Sequence, residues 1–186
     1  MQVPDSPIPV TPAPEWTFAQ KCRILLWEWS WILLACWTPK PFNPWRLLLL
    51  RAFGAGIEGR PFVHPRARIQ VPWNLKLADR ACIGSRADLY TLDRLEIGPH
   101  SIVAQEAYLC TGTHRRGENG AFPLYTAPIT IGAESFIGAR AFVLPGVVIG
   151  DRATLGAASV LTRNLPSGET WAGNPARAIP QAPPDS

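Results

Sequence analysis

The sequence predicts an all-β protein, a parallel β-helix of hexapeptide repeats preceded by two α-helices. Three observations carry this prediction: an aliphatic residue at every sixth position, glycine at the next position in most hexads, and a small residue at the fifth. A period of six fits neither the 3.6-residue period of an α-helix nor the two-residue period of a single strand, and it is typical of a β-helix. The aliphatic residues of the most regular stretch are Ile131, Ile137, Val143, Ile149, Leu155 and Leu161.

The hexad has a simple physical explanation. Three short strands joined by three corners close one coil in about 18 residues. The aliphatic first position points into a narrow interior, the small fifth position lies beside it, and Gly, Asp, Asn or Pro are expected at the corners. The pattern also extends toward the N-terminus, with two extra residues between 69 and 77 and again between 89 and 97. Its earlier members are Val63, Ile69, Leu77, Ile83, Leu89, Ile97, Val103 and Leu109.

The repeat divides the chain into four parts. Residues 1–15 are Pro-rich and are expected to form a disordered or extended arm. Residues 16–56 form a helical segment, residues 57–165 the β-helix, and residues 166–186 a closing segment and tail. The repeat is broken between Leu109 and Ile131, which predicts a protruding loop at residues 115–128. Long loops on a rigid scaffold often carry function.

The first predicted helix begins after Thr17, which forms a capping box with Gln20, and ends before Pro39. A second helix begins at Asn43-Pro44. The first helix is apolar on nearly every side, but it is shorter than the roughly 20 apolar residues that span a bilayer. It is therefore expected either to pack against the coil or a neighbouring subunit, or to make peripheral membrane contact through residues 21–37, where Trp is favoured.

Composition limits the partners and the compartment. The formal charge of +4 comes mostly from scattered Arg without a basic block, so no nucleic-acid partner is expected. The four cysteines have no metal-ligand spacing and are predicted to be small core thiols in a reducing compartment. The Pro-rich start does not look like a secretory signal. We expect a cytoplasmic protein, either free or at the inner face of the membrane.

His114 is the best candidate for chemistry. It ends the hexad LCTGTH where the chain leaves the coil for the loop, next to the small residues Gly112 and Thr113. An imidazole titrates near neutral pH and suits general-base work. The other two histidines, His64 and His100, are expected to be solvent-facing turn residues.

The hexads, TGTH at 111–114, FPL-x3-PI at 122–129 and AGNPA at 172–176 resemble the hexapeptide-repeat acetyltransferases. The resemblance runs from Trp27 to Ile179, and within the family it is to the colanic-acid-type sugar O-acetyltransferases of exopolysaccharide synthesis. It implies a left-handed β-helix, in contrast to the usual right-handed crossover. It also implies a homotrimer, with acetyl-CoA as acyl donor in a groove between two subunits.

The resemblance further assigns residues to roles. His114 matches the catalytic base, and a backbone N–H near Gly138 and Ala139 would stabilise the oxyanion. A sugar or glycan hydroxyl is the implied acceptor. The sequence departs from the resemblance after the histidine, where relatives often have Asp and this chain has Arg115 and Arg116. The positions that match contacts to the pantetheine arm are Ala139, Ala157 and Thr162. Those that match contacts to the nucleotide phosphates are Arg163 and Arg177. The candidates for holding the acceptor are Asp88, Thr91 and Glu106.

Two other functions fit a hexapeptide β-helix. A non-catalytic scaffold or binding module would need neither His114 nor an open groove. A zinc carbonic anhydrase would need three converging histidines. The three here occupy the second, fourth and sixth hexad positions, so no metal is expected.

Overall fold

The structure is a computed structural model that describes residues 3–4, 6–117 and 120–180. Its centre is a three-sided coil whose faces, named A, B and C, are parallel sheets. Face A contains the strands Gly56–Ile57, Leu75–Leu77, Leu95–Ile97, Ile129–Ile131 and Val148–Ile149. Face B contains Phe62–Val63, Cys82–Ile83, Ile102–Val103, Phe136–Ile137, Thr154–Leu155 and Thr170–Gly173. Face C contains Arg68–Ile69, Asp88–Tyr90, Tyr108–Cys110, Phe142–Val143 and Val160–Leu161.

The interior follows the hexad register. Leu109 pairs with Leu89 in the preceding coil and with Val143 in the following one, and every predicted aliphatic position is buried. Coils stacked at the usual strand spacing of about 4.8 Å bury a continuous aliphatic ladder. The predicted fold class, a left-handed parallel β-helix with N-terminal α-helices and one protruding loop, is confirmed.

The corners differ from the expectation that Gly, Asp, Asn or Pro would form them. The fourth hexad position often has a left-handed backbone, and eight of the described non-glycine residues adopt it, among them His100, Glu106 and Arg140. This conformation costs about 1–2 kcal/mol for an L-residue. The backbone N–H of these three residues donates to a carbonyl of an adjacent coil, and hydrogen bonding of this kind offsets part of the cost.

Two helices precede the coil. Helix α1 spans Phe18–Leu34 and begins with the predicted capping box of Thr17 and Gln20. A single 3-10 turn, Lys40–Phe42, leads into helix α2 at Asn43–Ala52. Helix α1 packs one face on the coil, where Trp27 and Trp31 are buried and the Trp27 indole donates to the Ile69 carbonyl at 2.6 Å. Packing on the coil is therefore observed for this face of the helix.

A small antiparallel sheet stands outside the coil, where the loop was expected. Gly112–His114 pairs with Leu124–Thr126, so the last third of the predicted loop is the second strand of a hairpin. Residues 118 and 119 lie outside the described residues. The strand Thr11–Pro12 of the N-terminal arm adds to the hairpin as a third strand.

The described residues of the arm follow an extended, hydrogen-bonded path along the coil. The Asn164 amide donates to the Pro4 and Ser6 carbonyls, both at 2.7 Å, and the Ile8 N–H donates to the Gly146 carbonyl. These contacts hold the arm along the corner between faces C and A. Proline suits this extended path because it has no backbone N–H that would need a hydrogen-bond acceptor.

The closing segment completes the C-terminal end of the coil. Thr170–Gly173 continues face B and turns back through the antiparallel strand Ala176–Ala178. Residues 181–186 of the predicted tail lie outside the described part of the chain. In the described part, no helix is both long enough and apolar enough to span a bilayer.

Candidate active site

His114 ends the first strand of the hairpin, and its side chain is exposed. The hairpin leaves the coil directly after Cys110, which is the last residue of its face C strand. The Thr111 hydroxyl secures this exit by donating to the Tyr90 carbonyl and accepting the Asp93 N–H. The imidazole is thus held at the C–A corner by a short, hydrogen-bonded strand.

A single hydrogen bond sets the tautomer of His114. Its Nδ1 lies 2.7 Å from the Phe122 carbonyl oxygen across the hairpin. A carbonyl oxygen only accepts, so Nδ1 carries the proton and Nε2 of the neutral ring has a free lone pair. The hairpin therefore presents an oriented imidazole with its proton-accepting nitrogen directed away from the backbone.

Three of the predicted donor-site residues lie together at the corner between faces B and C. Gly138 and Ala157 stack in adjacent coils, so that a Cβ on Gly138 would lie 2.5 Å from the Ala157 nitrogen. The Gly138 N–H donates to the Leu155 carbonyl at 2.7 Å and is already used. The N–H groups of Ala139 and Ala157 have no such partner among the described residues, so both remain as donors for an oxyanion at this corner.

The other predicted donor-site residues lie elsewhere. Thr162 and Arg163 follow the last strand of face C, at the C–A corner and near the arm. Arg177 lies in the closing hairpin, opposite Ala172, which stacks over Gly156 next to the B–C corner. Both arginines are exposed, and neither makes an ion pair with a described residue. Both guanidinium groups are therefore available to an anion.

Face C separates the imidazole from the B–C corner within one chain. Ala139 precedes the face C strand Phe142–Val143, whereas His114 lies beyond the far end of Tyr108–Cys110. A strand of four residues spans about 13 Å. A single chain therefore does not place the His114 ring against the Ala139 N–H.

Thr91 does not fit its predicted role in holding the acceptor. It is completely buried, and its hydroxyl donates to the Val71 carbonyl at 2.9 Å and accepts the Val71 N–H at 2.8 Å. These bonds connect the C–A corners of two successive coils. Each of these corners contains the two extra residues noted between 69 and 77 and between 89 and 97. Its hydroxyl is consumed by the fold and cannot reach an acceptor.

Glu106 is also occupied by the fold. Its carboxylate pairs with Arg140 at 2.6 Å and with Arg86, so it joins three successive coils at the B–C corner. These guanidinium groups, Arg140 first, lower the pKa of Glu106. The prediction that Glu106 contacts the acceptor is therefore not supported by its surroundings.

Asp88 is the acceptor candidate whose carboxylate faces a cleft. The cleft, about 360 Å³, lies between α1 and face C, and Trp27, Trp31 and Gln70 contribute to its lining. Burial raises the pKa of Asp88, and Arg68, 3.4 Å away, opposes the increase. A half-buried carboxylate beside Trp and a guanidinium can bind hydroxyl groups.

Arg115 and Arg116, the two arginines that follow His114, lie in the hairpin. The Arg115 guanidinium lies 5.3 Å from the centre of the Tyr125 ring and braces the hairpin by a cation–π contact. Arg116 is exposed. Among the described residues, no group of three or more His, Cys, Asp or Glu could hold a metal ion.

Sequence reasoning missed the Phe122 carbonyl, which orients His114. A backbone carbonyl leaves no trace in residue type, and the FPL motif that begins at Phe122 was the available signal. Of the two positions predicted for the oxyanion donor, Gly138 has a bonded N–H, whereas the N–H of Ala139 has no partner among the described residues.

Comparison with known proteins supplies the family. Residues 128–163 match the family model described as the hexapeptide repeat of succinyl-transferase. The chain is 38% identical over 157 residues to the putative colanic acid biosynthesis acetyltransferase WcaF of Escherichia coli K12, covering 84% of this chain and 86% of that protein. It is 41% identical over 66 residues to the galactoside O-acetyltransferase of the same organism, covering 36% of this chain and 32% of that enzyme.

Solved structures show the same fold. The hexapeptide-repeat acetyltransferase VCA0836 of Vibrio cholerae, also solved with acetyl coenzyme A, superposes with a TM-score of 0.80 at 19% identity, covering 88% of this chain and 93% of the unliganded chain. A galactoside acetyltransferase in complex with coenzyme A gives 0.63 at 21% identity, covering 90% and 84%. These solved structures thus share the β-helix fold of this chain. The chain belongs to the hexapeptide-repeat acetyltransferases, which confirms the predicted class of enzyme.

Proposed function

We propose that this protein transfers an acetyl group from acetyl-CoA to a hydroxyl of a sugar or exopolysaccharide precursor, with His114 as general base. The observation that carries the proposal is the bond from His114 Nδ1 to the Phe122 carbonyl, which leaves Nε2 free to accept a proton. Acetyl-CoA as donor is supported by the bound ligand of the V. cholerae structure. The polysaccharide acceptor is supported by the name of the E. coli relative.

The proposed transfer is direct. His114 Nε2 takes the proton of the acceptor hydroxyl while its oxygen attacks the thioester carbonyl. The Ala139 N–H donates to the resulting oxyanion, and one such donor contributes about 3 kcal/mol. Collapse of the tetrahedral intermediate breaks the carbon–sulfur bond, and the imidazolium returns the proton to the leaving thiolate. The products are the acetyl ester and free CoA.

This chemistry requires two copies of the chain, because face C separates His114 from Ala139 within one copy. A cyclic homotrimer places the C–A corner of one copy beside the B–C corner of the next, and acetyl-CoA would occupy the groove between them. Arg163 and Arg177 would then take its nucleotide phosphates. Exposed Ile102 and Phe136, paired on face B, support side-by-side packing because they form an apolar strip.

The acceptor is expected near Asp88, the remaining candidate of the three. Its cleft combines carboxylate, amide and indole groups, a set that suits the hydroxyls and apolar ring face of a sugar. A cytoplasmic location agrees with the supply of acetyl-CoA and with four free cysteines. The acceptor would then be acetylated before export.

The test compares His114→Ala with His100→Ala, a matched change at an exposed histidine on a corner of the coil. Free-thiol release from acetyl-CoA is measured with a panel of nucleotide sugars and lipid-linked glycans. We expect His114→Ala to lose about 10²–10⁴-fold in kcat and His100→Ala to retain wild-type rates. Equal rates for wild type and His114→Ala would eliminate the proposed base. Acetyl-CoA binding without turnover on any acceptor would favour the scaffold function.

A further inference from the structure

One side of the helical segment exposes a continuous apolar surface, which we call the outer face. On α1 its members follow helical spacing and so share one stripe. Trp29 and Leu33 are 61% and 60% exposed, and Trp37, just beyond the helix, is 71% exposed. The full set is Phe18, Leu25, Leu26, Trp29, Ile32, Leu33, Trp37, Phe42, Trp45 and Leu48.

The outer face is not needed to hold the helices on the coil. Trp27 and Trp31 fill the opposite side of α1, and Leu47 and Leu50 do the same for α2. The helical segment therefore has a packed side and an open side. An open apolar surface of this extent usually marks a site of interaction.

Charge indicates the kind of partner. Five of the 18 basic residues and one of the 14 acidic residues lie within 16–56, a net charge of +4, although Arg46 is buried. Residues 57–165 have 12 basic and 9 acidic residues over a stretch more than twice as long, so positive charge is densest in the helical segment. Lys21 and Lys40 are exposed and make no ion pair with a described residue, and Glu28 is the only acid of the segment.

We propose that the outer face lies in the interface of an anionic membrane, with α1 and α2 parallel to its plane. Three of its exposed side chains are Trp, which prefers the boundary between headgroups and acyl chains. An amphipathic helix bordered by Lys binds anionic lipid through combined apolar burial and electrostatic attraction. A second copy is a poorer occupant, because two faces of the same positive charge would repel each other.

This contact would hold the enzyme at the surface where lipid-linked glycans reside. The proposal does not depend on His114 or on acetyl transfer. Vesicle binding can be measured without any substrate, so its failure is distinct from failure of the proposed function.

The experiment is flotation of the full-length protein with phosphatidylcholine vesicles, with and without phosphatidylglycerol. Wild type is compared with Trp29→Glu and Leu33→Glu, which change exposed side chains on the outer face. The matched control is Ile179→Glu, an exposed apolar residue of the closing segment. We expect wild type and control to float with phosphatidylglycerol vesicles, and each outer-face variant to bind about tenfold or more weakly. Added salt should weaken binding of wild type.

Two results would overturn the proposal. The first concerns flotation: either the wild-type protein fails to float, or the outer-face variants float as well as wild type. The second concerns assembly: Trp29→Glu changes the oligomeric state, measured by sedimentation, while no form of the protein binds vesicles. That result would assign the outer face to contact between copies of the chain.

Discussion

Arg46 is fully buried between α2 and the first coil, and its guanidinium is satisfied entirely by uncharged oxygens. Nε donates to the Val63 carbonyl, Nη1 to the Thr38 hydroxyl and the Pro39 carbonyl, and Nη2 to the Lys40 carbonyl. Burial lowers its pKa below the usual value of an arginine. One side chain thus ties the turn between the helices to the coil.

The contribution of Arg46 can be measured against Arg51, an exposed arginine on the same helix. Arg46→Met leaves several buried acceptors without a donor, and each unsatisfied acceptor costs about 1–3 kcal/mol of stability. We expect it to lower the free energy of unfolding by about 3 kcal/mol and Arg51→Met by less than about 0.5 kcal/mol. Urea denaturation at matched protein concentration measures both. An Arg46→Met protein as stable as Arg51→Met would show that the buried network contributes nothing.

Residue roles were predictable from sequence only where position in the hexad decides them. Leu89 and Leu109 are buried because the first position of a hexad points inward, and His114 is exposed because the chain leaves the coil there. Thr91 and Glu106 were assigned to the acceptor but bond to neighbouring coils. Those bonds depend on which side chains stack in successive coils, and the spacing does not specify them.

At the scale of elements, the N-terminal arm and the hairpin support each other. Thr11–Pro12 pairs with Leu124–Thr126, and Ile8 donates to Gly146. Gly146 has a φ of 81°, but this backbone conformation alone does not require glycine, because Ala158 adopts the same left-handed region in this coil. Glycine is needed at 146 for another reason: a Cβ there would lie 2.1 Å from the Ile8 carbonyl oxygen.

This contact predicts different outcomes for two alanine substitutions. Gly146→Ala should displace the arm, whereas Gly173→Ala, at a φ of 99° in the closing segment with the Pro175 carbonyl oxygen at an ordinary 3.7 Å from its Cβ, should leave it in place. Hydrogen exchange of residues 6–13 and 112–126 measures the result. We expect faster exchange in both segments for Gly146→Ala alone. Equal exchange in the two variants would mean that the arm does not depend on this close approach.

Element boundaries were well predicted where local chemistry sets them. The capping box at Thr17 and Gln20 begins α1, and Asn43-Pro44 begins α2. The hairpin strand Leu124–Thr126 was assigned to a loop because three residues are too few for a periodic pattern. The arm was expected to be disordered or extended, and its partners Gly146 and Asn164 lie more than 130 residues away.

At the scale of the whole molecule, the coil and the helical segment differ most in exposed surface. Each coil contacts only its neighbours, so the coil is a rigid column. The helical segment adds the outer face and a dense positive charge to one side of it. Sequence periodicity predicts such a column, but the arrangement of two columns depends on surfaces that no repeat encodes.

The central claim is that an active site is completed by two copies of the chain, with His114 from one and the B–C corner from the other. Co-expression of His114→Ala with Ala157→Trp tests it directly, because Ala157 is exposed and a Trp there blocks the corner without disturbing the interior. Each variant alone should be inactive in thiol release from acetyl-CoA. Mixed trimers should regain about a quarter of wild-type activity, since about one interface in four combines two intact halves. Activity in the mixture no higher than in the separate variants would contradict a site shared between copies.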